Sequence, residues 1–251
     1  MAGRNRQWAF VRWLAATIVA FGCLVILCTT ALVVCILTFG FRKHDYFYLV
    51  SRTFGRVYLM MVGVKVRYLD GLPFNERTPR ILCFNHTSQL DLYLMASLMP
   101  PGGVPIMKKE MARIPILGQV LHLFDAVLVD RENSSAARAS LEVAAEQMKT
   151  QGLSVGISPE GTRSRDGELG PFKKGVFHLA KNTRLPVHRL YIEGPLALQP
   201  MGQWFTFPGE VNISLLPPQA TPGEHEDSTA WTHDLRTAYL ERMESSGETH
   251  V

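Results

Sequence analysis

The chain has 251 residues, 47% of them hydrophobic, with 26 Lys and Arg against 22 Asp and Glu and a formal charge of +4. That length holds one sizeable domain and a short appendage, and a modest charge spread along the chain excludes the dense basic patches of a nucleic-acid binder. Cys23, Cys28 and Cys35 lie in an N-terminal apolar stretch and Cys83 in another apolar run, which excludes a disulfide framework or a zinc pattern and points to a reducing compartment for the main domain.

From Trp13 to Phe41 no residue is charged. A spanning helix needs about 20 apolar residues, and this run, at roughly 43 Å as a straight helix, exceeds a bilayer core and should tilt, protrude or fold back. Arg4, Arg6 and Arg12 precede it and Arg42, Lys43, Arg52 and Arg56 follow it, so positive charge is nearly balanced across it. Balance suits a re-entrant hairpin, yet two half-length legs would each reach only about 21 Å. A cleaved signal peptide has a far shorter apolar part. The expectation is therefore a membrane anchor over residues 1–45, as a helix or re-entrant hairpin, facing anionic lipid.

Residues 46–63 mix Tyr46, Phe47, Tyr48, Phe54 and Tyr58 with Arg52 and Arg56, the composition of a linker helix lying at headgroup level or of a core-packing helix. Residues 64–251 form the remaining domain. Val64 to Tyr68 alternates with period two and reads as a strand, and Arg80 to Phe84 as a buried strand that ends at Asn85 and His86. Then come a helix from Asp91 to Met99, a strand from Val104 to Met107, a helix from Ile116 to Phe124 and a strand from Ala126 to Val129. Ser134 to Thr150 reads as a helix capped by Ser134 or Ser135, with Leu141, Ala144, Ala145 and Met148 on one face. Strands at Leu153 to Ile157, Val187 to Ile192 and Val211 to Leu215, a loop from Pro217 to Asp227, a helix from Thr229 to Met243 and a frayed end complete the chain. This alternation predicts an α/β layered domain with a largely parallel central sheet.

Chemistry concentrates at strand ends. Asn85-His86-Thr87-Ser88-Gln89-Leu90-Asp91 sets an imidazole near a carboxylate. Imidazole, with an ordinary pKa near 6.5, can take a proton from an alcohol at neutral pH, and a carboxylate on its other nitrogen fixes the tautomer. No protein nucleophile stands between the two, so the acceptor alcohol itself would attack. After the strand ending at Ile157, Ser158-Pro159-Glu160-Gly161-Thr162-Arg163-Ser164-Arg165 offers a close-approach glycine, a hydroxyl and a guanidinium fork, the parts of a phosphate clamp; a solvated turn is the alternative. Val129-Asp130-Arg131 and Met107-Lys108-Lys109-Glu110 also follow short apolar strands, so a parallel sheet would bring them to the same edge. His122, His178 and His188 lie in apolar periodic segments and read as structural, and no metal-ligand spacing is present.

Together these blocks resemble the 1-acylglycerol-3-phosphate acyltransferase family within the glycerolipid acyltransferases, marked by Asn-His-x-x-x-x-Asp, a strand ending in Asp-Arg, Phe-Pro-Glu-Gly-Thr-Arg-Ser, and a Pro-containing apolar strand. Here they stand as Asn85-His86 with Asp91, Val129-Asp130-Arg131, Pro159 to Ser164, and Leu185-Pro186-Val187, across Val64 to Ile192. The resemblance implies that His86 is the general base and Asp91 its partner. It implies that Glu160, Gly161, Thr162 and Arg163 bind the acceptor's glycerol phosphate, with Arg131 and Lys108 or Lys109 as further anion contacts. It implies acyl transfer from an acyl-CoA or acyl-carrier protein thioester to lysophosphatidic acid, with no cofactor or metal, at the cytoplasmic face of an inner or plasma membrane. Ser158 stands where the family usually has Phe, and His188-Arg189 where a second Pro is common. These departures keep open glycerol 3-phosphate, another lysophospholipid or a lyso-aminolipid as acceptor, and a non-catalytic lipid-binding protein is the alternative of a different class.

Overall fold

A computed structural model describes residues 2–40, 43–71, 74–115, 117–164 and 166–246, with the side chains of 2–6, 24, 27, 28, 31 and 32 outside that description. Helix α1 (Ala2–Leu37) is continuous, so the charge-free run does not double back on itself. The chain turns at Thr38-Phe39-Gly40, where Phe39 and Gly40 take φ of 50° and 78°, and returns as α2 (Lys43–Val62). The two helices run antiparallel: Thr30 hydrogen-bonds Tyr46 near the turn, and Arg12 Nε donates to the Met61 carbonyl at 3.4 Å at the far end. Among the described residues no helix is long and apolar enough to cross a membrane; the undescribed side chains 24, 27, 28, 31 and 32 fall inside the expected span, as do Phe41 and Arg42 at its end.

Strand β1 (Val64–Tyr68) follows α2 directly, and β2 (Ile81–Phe84) leads into α3 (Asp91–Leu98). Next come β3 (Gly103–Lys108), a 3₁₀ turn at Lys109–Arg113, α4 (Leu117–Leu123), β4 (Val127–Val129), α5 (Ser134–Gln151) and β5 (Ser154–Ile157). The chain closes with α6 (Gly175–Thr183), β6 (Val187–Glu193), a short α7 (Pro195–Leu198), β7 (Gly209–Gln219) and α8 (Ser228–Ser246). The sheet order is β1-β7-β6-β2-β5-β3-β4. Its only antiparallel pairing among the described strands is β6 with β7, so the largely parallel sheet expected from the alternation of elements is present.

Alternate residues of the central strands face opposite layers, as period-two geometry requires. Ile81 and Cys83 of β2 join a core with α5, α6 and α8, whereas Leu82 joins one with α1, α2 and α3. Leu90, Leu94 and Leu98 lie one helical turn apart and are buried, which seats α3 on the sheet at about 1.5–3 kcal/mol per leucine. The apolar face expected for α5 is the one it buries, Leu141, Ala144, Ala145 and Met148. Its cap differs from the expected serine: Asn133 accepts from the Ala136 amide at 3.1 Å and leaves Ser134 as the first helical residue. Helix α6 is hard to see in the sequence because it opens on a glycine without a side-chain cap, although Val176, Phe177, Leu179 and Ala180 carry the i, i+1, i+3, i+4 spacing of a helix face. β7 runs four residues beyond Leu215 into the expected loop.

Residues 46–63 are a packing helix more than a surface one. Phe47, Gly55, Tyr58, Leu59 and Val62 are buried, while Leu49 and Met60 stay exposed. At the crossing of α2 on α3, a Cβ on Gly55 would stand 2.5 Å from the Tyr93 carbonyl and 2.6 Å from the Ser97 amide. Both are backbone atoms, so α3 itself would have to move. Gly55→Ala should therefore cost about 1–3 kcal/mol by overpacking and lower the melting temperature by several degrees, as read by thermal unfolding; an unchanged melting temperature would show that the helices can separate freely.

Candidate active site

Neighbouring strands β2, β5, β3 and β4 are all parallel, so their C-terminal ends share one edge. His86, the Glu160 loop, Lys108 and Arg131 follow those ends in that order. With about 4.8 Å between strands, the row spans roughly 14 Å from β2 to β4, long enough to hold an extended ligand.

At the β2 end, Asn85 is buried and its side chain acts as a strand rung: Nδ2 donates to the Ile192 carbonyl at 2.8 Å and Oδ1 accepts from the Ile192 amide at 2.7 Å. This anchors the residue before His86 to β6. His86 Nδ1 lies 2.7 Å from Asp91 Oδ2. The same oxygen accepts from the amides of Thr87 and Ser88 at 2.8 and 2.9 Å, so one carboxylate, 1% exposed, fixes both the ring and the turn that carries it. With Asp91 ionised, Nδ1 is the protonated nitrogen and Nε2 is left as the base. Among the described residues no protein group hydrogen-bonds Nε2, and the side chain retains 22% exposure.

A covalent acyl-enzyme would need a nucleophile at that nitrogen. Cys83 is the nearest thiol in sequence, but complete burial pushes its pKa up to about 12, and a thiol so held is inert. Ser88 Oγ instead donates to the Gln199 carbonyl at 2.9 Å. The arrangement supports direct attack by a bound hydroxyl, with His86 as base.

The loop after β5 closes on His86 from both sides. Glu160 Oε1 accepts from the His86 amide at 3.0 Å, Glu160 Oε2 from the Gly170 amide at 3.2 Å, and the Ser164 amide donates to the His86 carbonyl at 2.8 Å. Glu160 is only 4% exposed, and burial raises its pKa despite the two amides that lower it. With both oxygens accepting from backbone amides, Glu160 holds the loop against the His86 strand end. Gly161 takes φ 69° and its absent Cβ would touch Lys173 at 3.1 Å, so the turn needs glycine.

Thr162 and Arg163 are exposed at the loop's tip, and among the described residues no hydrogen bond or ion pair occupies the Arg163 guanidinium, which leaves its fork free for an anion. Arg131, by contrast, directs Nη1 to the Gly161 carbonyl at 2.8 Å, tying β4 to the loop. Lys109 pairs with Asp130 at 2.5 Å, whose hydrogen bond raises the ammonium's pKa, and Lys108 sits 3.6 and 3.7 Å from Glu110 and Glu132. The edge thus presents an imidazole held by Asp91, an open guanidinium at Arg163 and a loosely paired Lys108, with Arg131 and Glu160 hydrogen-bonded to backbone. Sequence reasoning misses Asn85, Gly170 and Ser164 as supports; only their place within the motif blocks marks Asn85 and Ser164, and nothing marks Gly170. Among the described residues no group of three or more His, Cys, Asp or Glu could hold a metal ion.

Two substitutions separate these roles. Asp91→Asn should leave an amide that cannot serve Nδ1–H and both loop amides, and turnover should fall about 10²–10⁴-fold in steady-state assays of acyl transfer. Glu160→Gln should lower kcat while leaving the acceptor KM unchanged, since the new amide hydrogens oppose an N–H donor; a raised KM with constant kcat would return Glu160 to the phosphate site.

A family model described as Acyltransferase matches residues 64–193, which contain every candidate residue above. The chain is 33% identical over 195 residues to the 1-acyl-sn-glycerol-3-phosphate acyltransferase of Limnanthes douglasii, covering 75% of this chain and 67% of that one. It is 32% identical to the protein of that name from Cocos nucifera, over 76% of this chain and 62% of the other; the match thus spans about two thirds of these relatives' length. The crystal structure of the 1-acyl-sn-glycerophosphate (LPA) acyltransferase PlsC from Thermotoga maritima superposes with a TM-score of 0.74 over 96% of this chain and 98% of that one, at 23% identity, and so shares the fold. On the family match and the plant relatives, the chain belongs to the Acyltransferase family.

Proposed function

We propose that the protein transfers an acyl group from a thioester to the free hydroxyl of lysophosphatidic acid, forming phosphatidic acid. The observation that carries this reading is the His86–Asp91 pair, with Nε2 open and no protein nucleophile beside it among the described residues, on the sheet edge that also presents Arg163. The family and the names of the relatives agree with it.

In this scheme the acceptor's phosphate lies against Arg163, with Thr162 and Lys108 beside it. The hydroxyl gives its proton to His86 Nε2 as its oxygen bonds to the thioester carbonyl carbon. The carbon–sulfur bond then breaks, and the imidazolium returns the proton to the leaving thiolate. Asp91 stabilises the imidazolium while it exists. Orientation of two bound reactants can supply about 7–11 kcal/mol, and the base roughly 10²–10⁴-fold more, so positioning is the larger part. The donor is an acyl-CoA or acyl-carrier protein thioester, and no cofactor enters the chemistry.

Helix α1 gives the reaction its place. It exposes Phe10, Ile18, Phe21, Ile26, Ile36 and Leu37, side chains that favour hydrocarbon. Bilayer lipids are the partner that fits this surface, with the catalytic edge on the cytoplasmic side where soluble thioesters are made. Acceptor and product are amphiphiles that stay at that surface.

His86→Ala should abolish product formation from labelled lysophosphatidic acid and acyl-CoA by orders of magnitude while acceptor binding persists; near-normal turnover would remove the base. Arg163→Ala should raise KM for lysophosphatidic acid and spare a monoacylglycerol acceptor that has no phosphate. An equal loss on both would dismiss the clamp.

A further inference from the structure

On the face of the sheet carrying α5 and α6, a cavity of about 630 Å³ opens at the ends of β4 and β5, within the ~300–1,000 Å³ usual for small-molecule sites. Arg131, Arg138, Lys173 and Lys174 line it together with His178, and among the described residues no carboxylate does. Its floor is apolar, formed by Ile106, Val129, Leu141, Ile157 and Val176. The cations are only lightly engaged: Arg138 meets Glu142 at 3.2 Å on the exposed side of α5, Lys174 Nζ donates to Thr229 Oγ1 at 2.9 Å, and Lys173 rests against Gly161. Burial first, then the charges of Arg138 and Lys174, hold the His178 pKa below its ordinary value.

One wall of this cavity is the loop that holds His86. Ser158, Pro159 and Gly161 line it, and between them Glu160 accepts from the His86 amide. The acceptor clamp is elsewhere, since Arg163, Thr162, Lys108 and Lys109 do not line the cavity. A transferase that joins two anionic substrates needs two anion sites, and Arg163 accounts for one of them. A lysophosphatidic acid brings a single phosphate, whereas four cations with no facing carboxylate suit a ligand with several phosphate groups.

Resting on the acyl-transfer reading, we propose that this cavity binds the phosphorylated arm of the acyl donor, with the phosphates of a coenzyme A thioester against Arg138, Lys174 and their neighbours and its apolar pantoyl segment on the floor. The phosphopantetheine arm is common to acyl-CoA and acyl-carrier protein, but the number of cations matches the phosphate-rich coenzyme. The Pro159–Gly161 wall then sets the direction in which the thioester enters the sheet edge at His86.

The test uses the full chain with Arg138→Ala and Lys174→Ala combined, residues that touch neither His86 nor its loop. The KM for acyl-CoA should rise about a hundredfold, as expected when two charge-assisted hydrogen bonds worth about tenfold each are removed, while kcat and the KM for lysophosphatidic acid hold. The same acyl chain on N-acetylcysteamine, which has no phosphate, should be used equally by wild type and variant. A rise confined to acyl-carrier protein, or a rise in the acceptor KM alone, would overturn the assignment. Calorimetric binding of coenzyme A itself to the His86→Ala protein separates this from the catalytic reading: weaker binding on adding the two substitutions supports the cavity whatever His86 does, and unchanged binding removes it.

Discussion

Parallel pairing of β2, β5, β3 and β4 is the constraint from which the site follows. Four strands running the same way must release their chains at the same edge, so residues far apart in sequence, from His86 to Arg163, meet there because the sheet delivers them. The antiparallel β7 stands outside this group and contributes no candidate residue. Its work is to close the sheet between β1 and β6, which leaves β2 near the middle, covered on both faces by helices, and gives His86 a rigid base.

The two buried carboxylates near the imidazole act in opposite ways. Asp91 concentrates three donors on Oδ2, two of them backbone amides that hold the charge in place before any substrate arrives. Glu160 divides its oxygens between two stretches of loop and remains poorly compensated, as the upward displacement of its pKa by burial indicates. One carboxylate orients the imidazole; the other accepts a desolvation penalty and keeps the backbone of His86 still. Both are forms of preorganisation, in which folding fixes the orientation that the reaction later needs.

Much of this is legible from residue patterns, because the patterns are set by burial. Alternation at Val64–Tyr68 and the apolar runs ending at His86, Asp130 and Ser158 mark strands, and polar residues at their ends mark a shared edge. What the patterns do not carry is the direction of side chains. Glu160 and Arg131 are charged residues in motif blocks, indistinguishable in sequence from Arg163, yet they turn inward to amides and a carbonyl while Arg163 turns out. Helix α6 is hidden for a local reason, the missing cap, and half of the cationic cavity is hidden with it, since Lys173, Lys174 and His178 belong to its entry and first turn. The extent of α1 is a further case: a charge-free run signals hydrocarbon but says nothing of where the chain will turn, which Phe39 and Gly40 decide.

Ala9 and Ala16 of α1 are buried, at 1% and 0% exposure, and Ala16 shares a core with Tyr58, Leu59 and Val62 of α2 and with Leu94 and Leu98 of α3. Phe10 meets Phe205 of the segment after α7 with ring centres 6.0 Å apart, and that segment's Gln199 carbonyl receives the Ser88 hydroxyl. The apolar helix is therefore not a slack tether to a free domain but a strut, joined by small residues to the very helix whose first residue is Asp91. A strut fixes altitude. Whatever surface receives the exposed apolar face of α1, the imidazole is held at one fixed distance from it.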